Sequence, residues 1–245
     1  MRISRIYLPL HDTLISKSIV IEGEKAHYIR NVLRLKKGFI LYFFTPNGNQ
    51  YQASIKNIAK HEITLDEITL TEVQPQVSSL KTTIIQGISS SDRMDYSIQK
   101  AAELGCMKVV PMLSDFCSQK IPAHKHDKKL QHWQAVAISA CEQSGRADIM
   151  EIAPIQSLQS CVEQYRHGIY LEPTATQTIH QLPESLHSEH SFFIGPEGGF
   201  SPEELILFEQ KGFIGIKLGQ RVLRTETVIP VIMGAMHTLF GDFRN

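Results

Sequence analysis

The chain has 245 residues, 42% of them hydrophobic, with 25 Lys and Arg against 25 Asp and Glu. That length can bury one large core or a small and a medium one, and the balanced charge excludes a uniformly basic nucleic-acid coat. The charge is unevenly placed, however: residues 1–45 carry eight Lys or Arg against three acids and residues 131–210 carry two Arg against eleven acids, which makes the N-terminal segment the better candidate for a polyanion-facing surface.

From Ile3 to about Val73 the pattern is short and strand-like. Ile19-Val20-Ile21, Phe39 to Phe44, Tyr51 to Ile55 and Ile63-Thr64-Leu65 alternate or run apolar between turn residues. Pro46-Asn47-Gly48-Asn49 predicts a hairpin turn, because Asn and Gly tolerate positive φ. One short helix is expected from Lys25 to Leu33. These elements predict a small β-barrel domain over residues 1–73. The polar, aperiodic stretch from Glu72 to Ser79 contains Pro75 and reads as a linker, placed at residues 74–80. A second domain is expected over 81–245, where strands alternate with helices. Its elements are a strand from Thr82 to Gly87, a helix from Asp92 to Leu104 stopped by Gly105, a strand from Lys108 to Met112 and a long helix through Trp133 and Cys141. Further strands are expected at Ile169–Leu171, Ser191–Ile194 and Ile214–Leu218. Such alternation predicts an α/β fold with a mostly parallel sheet.

The four cysteines, Cys106, Cys117, Cys141 and Cys161, are separated by 11, 24 and 20 positions, which matches no zinc or redox spacing. They read as reduced thiols of a cytosolic protein. His124 and His126 fall in a Lys-rich turn, His187 and His190 in a polar loop and His237 on a helix face, so no metal site is expected. No apolar run follows Met1-Arg2-Ile3-Ser4-Arg5, and the longest apolar stretch, near Val228 to Met236, is too short to span a bilayer, so neither export nor membrane insertion is expected.

Two loops carry the strongest chemical signal. After Phe192-Phe193-Ile194, Gly195 and the Gly198-Gly199 pair let a backbone approach a ligand closely. Ser201 then fits a helix N-cap, Pro202 the first helical position and Glu204 a capping box. Neither a Walker A ending nor a G-x-G-x-x-G is present. The second loop, Leu218-Gly219-Gln220-Arg221-Val222-Leu223, sets Val222 and Leu223 beside backbone amides in a way suited to a flat ring system. The helix after it carries Val228, Ile229, Val231, Ile232, Met233, Ala235, Met236, Leu239 and Phe240, apolar on nearly all sides. Such a helix is expected to be buried on two faces, in its own domain and by a second subunit. Pro230 predicts an irregular first turn or a cap later than Thr225.

The wording of these loops, Gly195-Pro196-Glu197-Gly198-Gly199 and Leu223-Arg224-Thr225-Glu226-Thr227, resembles the SPOUT superfamily of S-adenosylmethionine methyltransferases. Within it, the wording is similar to the family that methylates N3 of a uridine in 16S ribosomal RNA of the bacterial small subunit. The likeness extends to Arg93-Met94-Asp95 through Gln99 to Gly105 and to Ala140-Cys141-Glu142-Gln143-Ser144-Gly145-Arg146. In the N-terminal part, His27-Tyr28, Asn31-Val32-Leu33-Arg34 and Gly38 resemble a PUA-like RNA-binding domain.

The resemblance implies a C-terminal SPOUT-type knotted α/β domain with a trefoil knot, a small N-terminal PUA-like β-barrel, S-adenosylmethionine held at the knot, and a cytoplasmic homodimer. It maps cofactor binding to Leu171, Glu172, Gly195, Pro196, Glu197, Gly198, Gly199, Leu218, Gly219, Gln220, Val222 and Leu223. Four positions depart from the family's habit: Phe116 stands where an arginine is common, Asp148 and Met150 where an apolar, proline-containing stretch is usual, and Pro230 where small helix formers are expected.

Methylating uridine N3 requires loss of its proton, so a base or a positive environment is needed. Arg224 ranks first as the electrostatic group. Glu197 and Glu142 are further catalytic candidates, and Glu226 is a third carboxylate within the motifs with a helix-start role as its alternative. Arg2, Arg5, Arg30, Arg34, Lys36 and Lys37 are expected to contact RNA. Arg93 and Arg146 are expected to bind RNA phosphate, with charge stabilisation or helix capping as their alternatives. Two other readings stay open at this level: ribose 2′-O methylation, and a catalytically silent RNA-binding protein of ribosome assembly.

Overall fold

The computed structural model describes residues 4–71, 78–166, 168–182 and 189–244. Arg2, His187 and residues 74–77 of the expected linker lie outside the described residues. The chain divides into two compact units, Met1–Val77 with Cys141–Asp148, and Ser78–Ala140 with Ile149–Asn245.

The first unit is built on five strands: β1 (Arg5–Tyr7), β2 (Ser18–Glu22), β3 (Ile40–Phe44), β4 (Gln50–Ile58) and β5 (Glu62–Leu70), in the order β1-β3-β4-β5-β2. Period-two alternation puts Leu41 and Phe43, Ala53 and Ile55, and Ile63 and Leu65 on one face, where they pack with Ile6, Leu8, Ile21, Ala26 and Ile29. The β3–β4 turn forms as expected. Gly48 takes φ 80°, and the Asp12 carboxylate accepts bonds from Thr45 Oγ1 at 2.6 Å and from Asn49 Nδ2 at 2.6 Å.

The helix expected over Lys25–Leu33 is two pieces. An α-turn, α1 (Gly23–His27), passes into a π-turn at Tyr28–Val32, in which Leu33 N–H donates to Tyr28 O across five residues at 3.0 Å. Arg34 follows with φ 53°.

Cys141–Asp148 joins this unit through polar contacts that no local pattern announces. The Arg5 guanidinium donates to the carbonyl oxygens of Gly145 and Arg146. Glu142 Oε1 accepts from Tyr7 N–H at 2.8 Å and from Lys25 Nζ at 2.6 Å. The end of a long helix is thereby tied to β1 and α1.

The second unit contains β6 (Lys81–Gly87), α2 (Ser91–Glu103), β7 (Lys108–Leu113), most of α3 (His126–Ser144), β8 (Glu151–Ile152), β9 (Gln156–Ser157), α4 (Leu158–Gln164), β10 (Ile169–Leu171), β11 (Gln177–Thr178), β12 (Glu189–Ile194), α5 (Pro202–Gln210), β13 (Ile214–Lys217) and α6 (Thr225–Phe240). The two-residue strands β8, β9 and β11 are too short to leave a periodic signal in the sequence. Every ladder of the sheet is parallel, in the order β11-β13-β10-β12-β6-β7-β8, with β9 also on β7. Burial on both sides explains why β6 is almost wholly buried after Lys81. One core face is aromatic: Tyr170 stacks on Phe208 at 4.7 Å, and Phe193 meets Phe208 edge-on at 5.2 Å.

After β13, which lies outside β10, the chain doubles back so that Thr225 at the start of α6 bonds to Gly195, just after β12, and to Gln86 on β6. The fold class is the expected one, an α/β domain on a parallel sheet with a small half-barrel sheet at the N-terminus.

Of the two outcomes that Pro230 predicts, the later cap is absent: helix α6 starts at Thr225 and runs on through Pro230. Its first turn is tightened, with Thr227 N–H donating to Arg224 O at 2.8 Å. Within the chain its buried residues, Thr225, Ile229, Ile232, Met233, Met236 and His237, form one stripe, and α6 packs against α2. Val231, on another side, is 39% exposed.

Candidate cofactor and methyl-transfer site

Three neighbouring parallel strands decide the site. The register pairs Leu171 with both Ile194 and Ile216, so β10, β12 and β13 end level with one another. Their following loops therefore emerge together at the carboxyl edge, where open α/β sheets hold ligands. They enclose a cavity of about 580 Å³, whose lining includes Leu171 and Glu172, Gly195 to Phe200, Leu218 and Gly219, and Arg221 to Thr225.

The first loop is shaped by what glycine omits. A Cβ on Gly198 would stand 2.7 Å from Phe116 Cβ, and one on Gly195 would stand 3.1 Å from the backbone of Gly199. Phe116 thus packs on this loop, which requires glycine opposite it. Ser201 closes the loop with the expected capping box: its hydroxyl accepts from Glu204 N–H at 3.2 Å, and Glu204 Oε2 accepts from Ser201 N–H at 2.8 Å. Burial raises the pKa of Glu204 above the usual carboxylate range, against the bonds from Ser201 and Asp115 N–H.

Two buried bonds fasten the loops to each other. Thr225 Oγ1 donates to Gly195 O at 2.7 Å and accepts from Gln86 Nε2 at 2.9 Å. Glu197 makes a second junction. Its Oε1 accepts from Ser90 N–H at 2.9 Å and pairs with Arg93 Nη1 at 2.9 Å, and its Oε2 accepts from Ser118 Oγ at 3.1 Å. Burial works to raise the Glu197 pKa, but these donors outweigh it and hold the carboxyl below its ordinary range. Glu197 is therefore an ionised, fully engaged brace. Arg93 extends from it across to Glu226, with Nε 3.5 Å from Oε2.

Of the residues singled out from sequence, Leu171, Glu172, Gly195, Pro196, Glu197, Gly198, Gly199, Leu218, Gly219, Val222, Leu223, Arg224 and Arg93 all line the cavity, whereas Gln220, Glu142 and Arg146 are not among its lining residues. Pro173, Ile194, Phe200, Ile216, Arg221, Thr225 and Val228 also line it. Ile194 and Ile216 follow from the strand register and Arg221 from the loop already marked, but Thr225 and Val228 owe their place to the return of α6.

In the first unit the basic residues divide by environment. Arg5 is engaged by backbone carbonyls, and Arg30 Nη1 donates to Lys60 O at 2.6 Å and Ala59 O at 3.3 Å. Arg146 is buried and pairs with Asp148, so the Asp148 departure neutralises that guanidinium. Met150, the other departure, is fully buried in the second unit. Arg34, Lys36 and Lys37 are exposed. Among the described residues no group of three or more His, Cys, Asp or Glu could hold a metal ion, and no helix is long and apolar enough to cross a membrane.

Comparison with known proteins assigns the rest. Residues 76–237 match the family model of the RNA methyltransferase domain, and residues 21–68 match that of the RNA methyltransferase PUA domain. The chain belongs to the RNA methyltransferase family. Its relatives include ribosomal RNA small subunit methyltransferase E of Buchnera aphidicola subsp. Schizaphis graminum, 37% identical over 98% of both chains, and that of Bacillus subtilis, 26% identical over 84% of both. Among solved structures, ribosomal RNA small subunit methyltransferase E from Neisseria gonorrhoeae bound to S-adenosyl methionine has a TM-score of 0.88 at 30% identity, covering 99% of this chain and 100% of that one. A structure described as a methyltransferase of Legionella pneumophila in complex with the cofactor SAM has a TM-score of 0.93 at 32% identity, with the same coverage.

Proposed function

We propose that the chain is an S-adenosylmethionine-dependent methyltransferase that methylates N3 of a specific uridine in 16S ribosomal RNA, acting in the cytoplasm as a homodimer on the assembled small subunit. The observation that carries this reading is the convergence of the loops after β10, β12 and β13 on one cavity, in a member of a family whose relatives bear that enzyme's name. The cavity fits the cofactor. Its volume lies within the roughly 300–1,000 Å³ of small-molecule sites. Leu171, Ile194, Leu223 and Val228 offer apolar walls for a purine. Glu172, whose Oε1 accepts from Thr174, offers a carboxylate to hydroxyl or ammonium groups. When bound, the cofactor supplies a methyl group already made electrophilic by its sulfonium.

The chain's own residues answer the harder half of the chemistry, the acidic N–H of the uracil. Arg93, Arg221 and Arg224 line the cavity; fixed positive charge where a uracil anion develops lowers the cost of deprotonation more than a mobile solvent would. Glu197 and Glu226 hold Arg93 in place, which gives Glu197 a positioning role rather than that of a base. Glu142, braced by Tyr7 N–H and Lys25, has a role in shaping the first unit. The apolar residues of α6 outside its buried stripe, Val231 among them, support a second subunit, and light scattering at micromolar concentration tests that: a monomer removes the dimer from the proposal.

The deciding experiment is methylation of small subunits purified from a strain lacking this protein, followed by mass mapping of the methyl group. A methyl on N3 of one uridine is expected. A methyl on a ribose, or none, refutes the reading.

A further inference from the structure

Residues 114–118, Ser-Asp-Phe-Cys-Ser, follow β7 directly. They fold as a tight turn, in which Cys117 N–H donates to Ser114 O and Ser114 N–H to Cys117 Sγ, both at 3.3 Å. Because β7, β6 and β12 are parallel neighbours, this turn emerges at the same carboxyl edge as the loop at 195–200. Three of its five residues meet that loop or the residues that end it. Phe116 lies against Gly198, and Ser118 Oγ donates to Glu197. Asp115 reaches the loop's far end: its Oδ2 accepts from Ser201 Oγ at 2.6 Å, and its N–H donates to Glu204 Oε1 at 2.9 Å.

The Asp115 carboxylate is not needed to cap α5. The reciprocal bonds between Ser201 and Glu204 already complete the capping box. Asp115 moreover sets a like charge near Glu204, which adds to the burial that raises the Glu204 pKa. What the carboxylate contributes is a fixed end to the cofactor loop. Ser201 is only 2% exposed, so its hydroxyl proton is committed to Asp115 while a lone pair accepts from Glu204 N–H. That bond ties the residue at which the loop ends to the turn after β7. At its beginning the loop is held by Thr225 on Gly195 O. Pro196 to Phe200, all of which line the cavity, thus run between two fixed points, and Asp115 is not itself a lining residue.

We propose that Asp115 is a positioning residue for S-adenosylmethionine: through Ser201 it fixes the far end of the loop at 195–200 and so sets cofactor affinity without touching the cofactor. The inference rests on the reading of the cavity as the cofactor site, and its test includes a measurement that needs no cofactor. Wild type, Asp115→Ala, Asp115→Asn and Leu80→Ala are compared by calorimetric titration with S-adenosylmethionine, by turnover on small subunits at saturating cofactor, by urea denaturation, and by hydrogen exchange of the Gly199 amide. That amide donates to Pro196 O at 3.0 Å inside the loop, so its exchange reports loosening there. Asp115→Ala is expected to weaken cofactor binding about tenfold and to speed Gly199 exchange, with saturated turnover within about threefold of wild type. Asp115→Asn keeps an acceptor for the Ser201 hydroxyl and is expected to restore affinity to within about threefold. Leu80, buried just before β6 at the opposite edge of the sheet, is the control: its alanine variant lowers the urea midpoint with affinity unchanged. Affinity of Asp115→Ala within about twofold of wild type overturns the proposal. So does an asparagine variant as weak as the alanine one, or an equal loss of affinity in Leu80→Ala, which would make the effect general loosening. If wild type takes up no S-adenosylmethionine, the cofactor reading fails, and unchanged Gly199 exchange in Asp115→Ala would then overturn the positioning role while faster exchange upholds Asp115 as the loop's anchor.

Discussion

Replacing Gly87 by alanine tests how the cofactor loop is held. Gly87 ends β6, next to the register pair Gln86 and Ile194 that fixes β12 beside it. An added Cβ would stand 2.5 Å from Pro196 N, 2.6 Å from Pro196 Cδ and 2.9 Å from Gly195 C. Against the 3.4 Å at which ordinary contact begins, the atoms must separate by roughly 0.9 Å. Two of those neighbours are backbone and the third is a proline ring, so no flexible side chain can swing aside. The sheet ladder holds the strand side, and the movement falls on the loop after Ile194. Overpacking of this kind costs about 1–3 kcal/mol, and displacing a binding loop by about 1 Å lowers function by up to about 10²-fold. Urea denaturation and calorimetric titration with S-adenosylmethionine measure the two effects separately. We expect at least a tenfold loss of cofactor affinity together with a lowered midpoint. An alanine variant with wild-type midpoint and affinity within twofold would refute the account of a loop fixed by close backbone approach.

Other outcomes follow from the same contacts. Thr225→Val leaves the Gln86 amide and the Gly195 carbonyl without their shared partner and should cost about 1–3 kcal/mol in urea denaturation; a change below about 0.5 kcal/mol would show the bonds to be dispensable. Arg224→Ala should lower single-turnover methylation of saturating small subunits by about 10²-fold while changing cofactor affinity little, and unchanged turnover would remove Arg224 from the chemistry. Glu197, whose folded pKa lies below its unfolded value of about 4.3, contributes stability that is complete above that pH and is lost as the pH falls through the folded pKa. Glu197→Gln should therefore flatten the acid limb of stability against pH below about pH 4.5, and an unaltered limb would count against the brace.

Where local chemistry dominates, the sequence alone was informative. Alternating apolar residues marked β3, β4 and β5, because one side of each must meet a core. Ser201, Pro202 and Glu204 announced the start of α5, because a helix end must satisfy its own first N–H groups within three residues. Glycines in the loops after β12 and β13 signalled close backbone approach, and the cavity they share follows once both strands flank β10. Less was legible where partners are distant. The burial of Glu142, Arg146 and Arg5 depends on Cys141–Asp148 joining the first unit, more than a hundred residues from β1 in the chain. Pro230 announced a disturbed first turn of α6, a local effect, but not the packing of α6 on α2.

The same division separates the two sources of this site. The amino-acid order by itself determined which loops are glycine-built, which helices are capped and which residues carry charge, since each is settled by neighbours within a few positions. Only the tertiary structure decided that β10, β12 and β13 end level, that Thr225 joins the loops, and that Glu197 spends its charge on Ser90, Arg93 and Ser118. Sheet order and carboxylate ionisation depend on groups far apart along the chain, whose approach arises from packing the whole core.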